Sequence, residues 1–496
     1  MLAWSRVAAL SCALLCALAV VAPGSAPAAE TAPGASASPS PGASRPNVVL
    51  ITTDDQTLED MQWMPRTRRL LGGAGVTFTH GISPHPLCCP ARAELLTGQY
   101  AQNNGVRNNA GVHGGFEALE RPGNTVASWL DGAGYRTGMV GKFLNLYALR
   151  HGRQPGWDHW DPLVCCTEYQ PYDYTFFGDG TGTPSGRDLH STDAVRDRTL
   201  GLIDDWAGSD QPFFIRSSFV APHGTCTEEK RDCSAPPVPP DRYADAYPGA
   251  RLPSLQKPSF NEADLRDKPG WMRRLPRQSP AAMQALFHER IRSLAAVDEA
   301  VVKIVQALAD RGALRDTYVL FTSDNGYLLG EHRLEEKVFA YQESVRVPFL
   351  LYGPGVPAGA RRRQVVSTID VAPTIAAIAG VRPARTVDGL DIRRYAVGNQ
   401  KLRRTSLVQA GPRGSLGTKE WTYRGAYTPR YTYLRWNRTR FVELYDRVKD
   451  PYELRNVARD PRYRDVIVEL RRRTAALVGC SGARCSRDFG PTPRVR

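Results

Sequence analysis

Beyond its first thirty residues the chain contains nothing close to the ~20 consecutive apolar residues that a bilayer-spanning helix needs, so stable membrane insertion is not expected. It has no two Cys-x-x-Cys pairs facing each other, which leaves a structural zinc site without its ligand pattern. No internal repeat is apparent. Positive charge is plentiful, 64 Lys and Arg against 50 Asp and Glu, but it is spread along the sequence. Without a basic arm, or a ribbon interleaved with aromatics, nucleic acid is not an expected partner. An acidic substrate or an arginine-rich genome accounts for the excess equally well. What is left is a chain of 496 residues, 42% hydrophobic and 23% charged, ordinary for a globular protein and long enough for one large domain plus a smaller one.

Residues 1–29 read as a secretory signal peptide: Arg6 leads into VAALSCALLCALAVV, and APAA supplies small residues for cleavage. The mature protein is expected to be secreted. Residues 30–45, almost wholly Pro, Ala, Ser and Gly, read as a disordered linker, and the fold is expected to start at Pro46. From there apolar, β-branched runs each close on polar residues: NVVLITTDD, YRTGMVGK, FFIRSSFVAPH and YVLFTSDN. Helical patterns lie between them, the clearest with Ser279 as N-cap and Pro280 at the first position, running through Leu294, Val297, Val301, Ile304 and Leu308 to Gly312. Strands alternating with helices predict an α/β fold, a large mostly parallel sheet flanked by helices, over residues 46–400. From 401 to 496 short aromatic runs (WTYRGAYT, YTYLRW, RFVELYD) and a final helical stretch predict a small antiparallel sheet with a covering helix. The Pro-, Asp- and Arg-rich region from Cys226 to Arg277 reads as a long surface loop.

Ligands of open α/β sheets sit beyond the carboxyl ends of the strands, where loops converge. Asp54, Asp55, Lys142, His223, Asp324 and Asn325 all fall at such ends and are candidates for one shared site. Paired carboxylates repel each other unless a cation neutralises them. Carboxylate and amide oxygens favour a hard divalent ion, Ca²⁺ over Mg²⁺ on ligand number and flexibility. Cysteine is sparse. Outside the leader there are eight: Cys88, Cys89, Cys165, Cys166, Cys226, Cys233, Cys480 and Cys485. In an exported chain disulfides are their default role, and Cys226 with Cys233 and Cys480 with Cys485 are plausible local pairs. The adjacent pair in LCCPARAELLTGQY stands apart. There Pro90 precedes an expected helix start and Arg92 lies in its first turn, so Cys88 would face unpaired backbone N–H groups in a pocket suited to an anion.

The blocks PNVVLITTDD, CCPARAELLTGQY, GMVGK, APH, FTSDNGYLLGEH, RVPFLLYGPG, TIDVAPTIAAIAG and ELYDRVKDPYELRNVA, in this order, resemble those of the sulfatases in the alkaline-phosphatase-like superfamily. The resemblance implies that Cys88, first residue of Cys-x-Pro-x-Arg, is oxidised to formylglycine (3-oxoalanine) by a formylglycine-generating enzyme during maturation. It puts one divalent cation on Asp54, Asp55, the modified Cys88, Asp324 and Asn325. It puts the sulfate-site cations and proton carriers on Arg92, Lys142, His223 and Lys337. One hydroxyl of the hydrated aldehyde would attack sulfur, His223 would protonate the leaving alcohol oxygen, and the second hydroxyl would expel sulfate. The chain departs from many members in carrying Leu144 and Asn145 where a histidine follows the lysine, which leaves the first base open. A similar Leu-Asn arrangement, and CCPARAELLTGQYAQNNGVRNN, resemble the N-acetylglucosamine-6-sulfatase branch. The implied substrate is a sulfated small molecule or glycan, with 6-sulfated N-acetylglucosamine first. A broad arylsulfatase, or a phosphonate monoester or phosphodiester hydrolase on the same core, are the alternatives.

Overall fold

The computed structural model describes residues 45–185, 188–227, 232–398, 405–412 and 420–495, without the side chains of 227 and 232–234. The expected leader, and all of the expected linker except Arg45, lie outside the described residues. No described helix is long and apolar enough to cross a membrane.

A ten-stranded sheet carries the fold. Its strands, in chain order, are β1 Asn47–Thr53, β2 Val76–Ile82, β3 Arg136–Lys142, β4 His159–Leu163, β5 Thr175–Phe176, β6 Thr183–Pro184, β7 Phe213–Ser218, β8 Thr317–Ser323, β9 Phe349–Tyr352 and β10 Ala360–Ser367. They lie side by side as β10-β2-β9-β8-β1-β7-β3-β4-β5-β6. The central run from β8 to β4 is parallel throughout, β9 runs against both its neighbours, and β5 and β6 finish the far edge antiparallel. The expected large, mostly parallel sheet is what forms.

β1 explains why. Its residues are buried on both faces, as a parallel strand between helix layers must be, so its sequence is continuously apolar rather than alternating. Val48 and Leu50 pack into one core with Leu96 and Ile375, and Val49 and Ile51 into a second with Val297, Val301 and Ile304. The first layer includes α1 Cys88–Thr97. The second includes α2 Ser191–Trp206 and α3 Pro280–Asp310, whose N-cap Ser279 accepts from the Ala282 N–H as expected. The antiparallel C-terminal sheet is β11 Ser406–Ala410, β12 Tyr423–Tyr427, β13 Tyr431–Trp436 and β14 Val442–Asp446. Against Ala426 and Tyr433 of that sheet lie Val466 and Leu470 of the helix α4 Arg464–Val478.

The stretch expected as a surface loop is irregular and largely exposed, and it is anchored at a few points. It contains single helical turns at Asp241–Tyr243, Pro253–Gln256 and Met272–Arg274, and buries Leu252, Lys268 and Met272. The lysine is held by the carbonyls of Glu453 and Leu454, both at 2.8 Å, which gives a charged residue of the segment a reason to be inside. Cys480 and Cys485 are bonded as expected, and Cys165 and Cys166 are bonded to each other. Cys226 is disulfide-bonded, but its expected partner's side chain, that of Cys233, lies outside the described residues. Cys88 and Cys89 are buried free thiols.

Candidate active site

Register alone gathers the strand ends. Thr53 of β1 pairs with Ser323 of β8, and Gly141 of β3 with Ser218 of β7, so Asp54, Asp55, Lys142, Asp324 and Asn325 emerge at one edge of the sheet. His223 follows β7 by five residues and joins them. Asp55 takes a left-handed φ of 66°, a turn that Asp tolerates better than most residues. α1 begins at Cys88, with Leu87 as N-cap, two residues before the Pro90 position that suggested its start. Pro90 is the third helical residue, where a missing N–H costs nothing, and Arg92 therefore lies beyond the first turn. Of the unpaired donors at this helix start, the Cys89 N–H is taken by Asn109 Oδ1 at 2.8 Å.

The side chains form one network. Cys88 Sγ lies 3.5 Å from Asp54 Oδ1 and 3.1 Å from Lys337 Nζ. Lys337 also donates to both oxygens of Asp55, at 2.6 and 2.7 Å, and Lys142 pairs with Asp54 Oδ2. Arg92 donates to Asp324 Oδ2 at 2.7 Å, to the Lys142 carbonyl at 2.9 Å and to Ser218 Oγ at 2.7 Å. Asp324 Oδ1 accepts from the N–H groups of Asp55 (3.1 Å) and Asn325 (2.7 Å), and Asn325 Nδ2 donates to Asp55 Oδ1 at 2.6 Å. His223 Nε2 is 3.7 Å from Asp55 Oδ2, while Nδ1 lies 2.8 Å from the Gly224 carbonyl, which makes Nδ1 the protonated nitrogen of the neutral ring. All the residues singled out from the sequence are thus brought together.

Electrostatics follow from burial and pairing. Burial alone raises a carboxyl, but Lys142 and its fellow cations outweigh it and hold Asp54 well below the usual carboxylate range. Asp55 is lowered in the same way, against burial, chiefly by Lys337. Burial, reinforced by Lys337, pushes His223 down to about 4. Burial and the Asp54 charge push the Cys88 thiol up to about 12, so the unmodified cysteine is a poor nucleophile here.

The donor set forms a possible metal-binding cluster. Asp54, Asp55, Cys88 and His223 each offer an atom within 4.8 Å of the others. Asn325 Oδ1 is buried without a hydrogen-bond partner, an oxygen lone pair that a cation would satisfy. Asp324 adjoins the group with its oxygens engaged by Arg92 and the backbone, and His223, expected only as a proton carrier, stands among the potential ligands.

Sequence reasoning missed Tyr169. Its ring stacks on His223 with centroids 4.3 Å apart, Lys142 Nζ lies 4.2 Å from the same centroid, and its hydroxyl accepts from Asn145 Nδ2 at 2.7 Å. Tyr169, Asn145, Asn109, His223 and Lys337 line a cavity of about 330 Å³ beside Asp55. Asn145 had been visible as a departure from the family pattern; nothing in the sequence marked Tyr169 itself.

Comparison with known proteins shows the family. A family model described as Sulfatase matches residues 46–381, and one described as N-sulphoglucosamine sulphohydrolase, C-terminal, matches residues 330–478. The chain is 31% identical over 504 residues to an arylsulfatase of Volvox carteri, covering 90% of this chain and 76% of that one. It is 30% identical over 508 residues to an N-acetylglucosamine-6-sulfatase of Capra hircus, covering 92% and 86%. A solved structure in complex with its substrate D-glucosamine-2-N,6-O-disulfate shares the fold, with a TM-score of 0.69 at 22% identity over 87% of this chain and 97% of that one.

Proposed function

Because this chain belongs to the sulfatase family and is a sulfuric ester hydrolase, we propose that its substrate is a sulfated sugar, and that it removes a 6-O-sulfate from a terminal N-acetylglucosamine unit of a glycan. The observation that carries this reading is the similarity to an N-acetylglucosamine-6-sulfatase along 92% of the chain.

In this proposal Cys88 is converted to formylglycine, which supplies a hydrated aldehyde hydroxyl as nucleophile in place of an unreactive thiol. A divalent cation, Ca²⁺ ahead of Mg²⁺, held by Asp54, Asp55, residue 88, Asp324 and Asn325, would supply Lewis acidity toward the sulfuryl oxygens. The chain's own cations do the rest of the electrostatic work. Lys142, Lys337 and Arg92 are positioned before substrate arrives, by Asp54, Asp55 and Asp324 respectively, so little reorganisation accompanies the build-up of charge. His223 holds its Nδ1 proton against the Gly224 carbonyl, which leaves Nε2 as the nitrogen that exchanges a proton with the leaving alcohol oxygen. The same proposal assigns residues 46–400 to the catalytic domain and 401–496 to a C-terminal subdomain, with secretion following cleavage after Ala29.

Two measurements test it. In the peptide spanning Leu87 to Arg92 of active enzyme, residue 88 is expected about 18 Da lighter than cysteine and reactive to aldehyde reagents. A full-occupancy thiol there overturns the nucleophile. Sugar 6-, 4-, 3- and N-sulfates are then compared with p-nitrophenyl sulfate by kcat/KM, and N-acetylglucosamine 6-sulfate is expected to lead. Preference for the phenol ester over every sugar overturns the substrate and leaves the sulfatase assignment standing.

A further inference from the structure

The wall of the catalytic cavity is not uniformly positive. Next to Lys337 it turns acidic, because Glu335 and Glu336 line the same cavity. Backbone pairing holds them there: in a two-residue antiparallel ribbon that follows Tyr327, Leu329 pairs with Glu335 and Leu328 with Glu336. Glu335 is half-buried and Glu336 exposed, whereas Asp55 and His223 are buried, so the two glutamates stand at the outer part of the cavity. Among the described residues neither has a hydrogen-bond or ion-pair partner. Burial and the Glu336 charge raise the Glu335 carboxyl, and no cation acts against them. The cavity's own cations are committed inward. Lys337 donates to both Asp55 oxygens, and Arg290, 1% exposed, donates to the Asp55 carbonyl at 2.6 Å and to Asp60 Oδ2 at 3.3 Å, with Tyr327 under its face.

We propose that Glu335 and Glu336 determine specificity by charge, admitting a sugar that carries one sulfate and rejecting one that carries a second anionic group, an N-sulfate or a carboxylate. The inference rests on the glycan reading above and narrows its substrate class to singly charged units such as N-acetylglucosamine 6-sulfate.

Three observations converge on that selection. The cavity, about 330 Å³, is at the small end of the range of about 300–1,000 Å³ typical of ligand pockets, so a charged substituent on a bound ring stays near the wall. Unpaired carboxylates in a partly enclosed site repel such a charge more than they would in bulk water, where the repulsion is better screened. The third observation is independent of the glutamates. Asn145, 8% exposed, lines the same cavity with its Oδ1 buried and without a hydrogen-bond partner. Acceptors call for donors. Ring hydroxyls and an acetamide N–H supply them, while the oxygens of a second sulfate or a carboxylate would set lone pairs against lone pairs.

The test measures kcat/KM at neutral pH on the mature, active enzyme for two pairs of substrates: N-acetylglucosamine 6-sulfate with glucosamine 2-N,6-O-disulfate, and p-nitrophenyl sulfate with 4-carboxyphenyl sulfate. In each pair the singly charged member is expected to lead by roughly tenfold or more, through KM more than kcat. The double variant Glu335→Gln, Glu336→Gln keeps side-chain shape and removes charge, and should narrow each lead by about threefold or more. Added salt should narrow the native lead too, a response that a merely structural role would not give. Where sugars are turned over, their pair decides. A lead that falls short of tenfold, that ignores salt, or that the double variant narrows less than threefold overturns the selection and spares the glycan reading. If no sugar is turned over the glycan reading falls, and the aryl pair decides by the same thresholds: a lead that meets them upholds selection by charge, and one that does not overturns it.

Discussion

At the scale of the residue, Tyr169 decides the most for the least sequence signal. It shares one ring between the His223 imidazole and the Lys142 ammonium. A desolvated cation–π contact contributes about 2 kcal/mol and a ring pair roughly 0.5–1.5 kcal/mol. Tyr169→Ala is therefore expected to lower kcat for p-nitrophenyl sulfate by roughly 10- to 100-fold, at about 1.4 kcal/mol per decade. Tyr169→Phe keeps both ring contacts and loses only the Asn145 hydrogen bond, so its kcat should stay within about tenfold of the native value. Equal losses in the two variants would show that the hydroxyl, not the ring, is what matters. Cys88 and Arg92 were legible because a five-residue pattern carries them. Tyr169 was not, because it reaches the site by tertiary placement of an irregular segment that no local periodicity records.

At the scale of the element, the strand ends were readable for a physical reason. A buried parallel strand is a continuous apolar run, and the first polar residue after it marks where the chain leaves the sheet. That rule located Asp54, Lys142 and Asp324 at once. It fails for segments that follow no period, which is why the buried anchors of the stretch after Cys226 were not foreseen. The loop bearing Lys337 is similarly unreadable: Glu336 and Val338 flank the lysine with φ of 84° and 81°, in a region where non-glycine residues are strained. The Val338 carbonyl accepts from Tyr423 Oη at 2.5 Å and its N–H donates to the Pro86 carbonyl at 3.0 Å, two bonds that hold the strained form. Glu336 is exposed and lends the fold little packing, so Glu336→Gly should raise unfolding stability by about 1 kcal/mol. Urea titration checks this; a loss of stability instead would mean that the left-handed backbone there carries no strain.

At the scale of the whole molecule, the proposed cation on Asp54, Asp55 and Asn325 would couple the site to global stability. A cation that binds only the folded chain stabilises it by about 2.7 kcal/mol at a hundredfold excess over Kd. Exhaustive chelation is expected to lower Tm and abolish turnover together, with Ca²⁺ restoring both more fully than Mg²⁺. Unchanged activity in metal-free enzyme, verified by elemental analysis, would remove the cation from the proposal. The α/β architecture and the C-terminal sheet with its helix were both foreseeable, since each rests on patterning over many residues. The bonding of Cys165 to Cys166 was not, because pairing depends on where the thiols end up in space.

Cys88 has no solvent exposure in the folded protein, enclosed with Asp54 and Lys337 about its sulfur. Under the proposed conversion, this enclosure turns maturation into a race. An oxidising enzyme would have to reach the Cys-Cys-Pro-Ala-Arg segment while it is still accessible, and the fold withdraws the same segment into the start of a helix against the sheet. Each molecule is committed by whichever event comes first, and one that folds with its thiol intact is stable, correctly shaped and permanently silent. Specific activity of a purified batch would then measure the outcome of that race, and slowing the growth temperature or supplying more of the oxidising enzyme would raise it without altering a single contact in the finished structure.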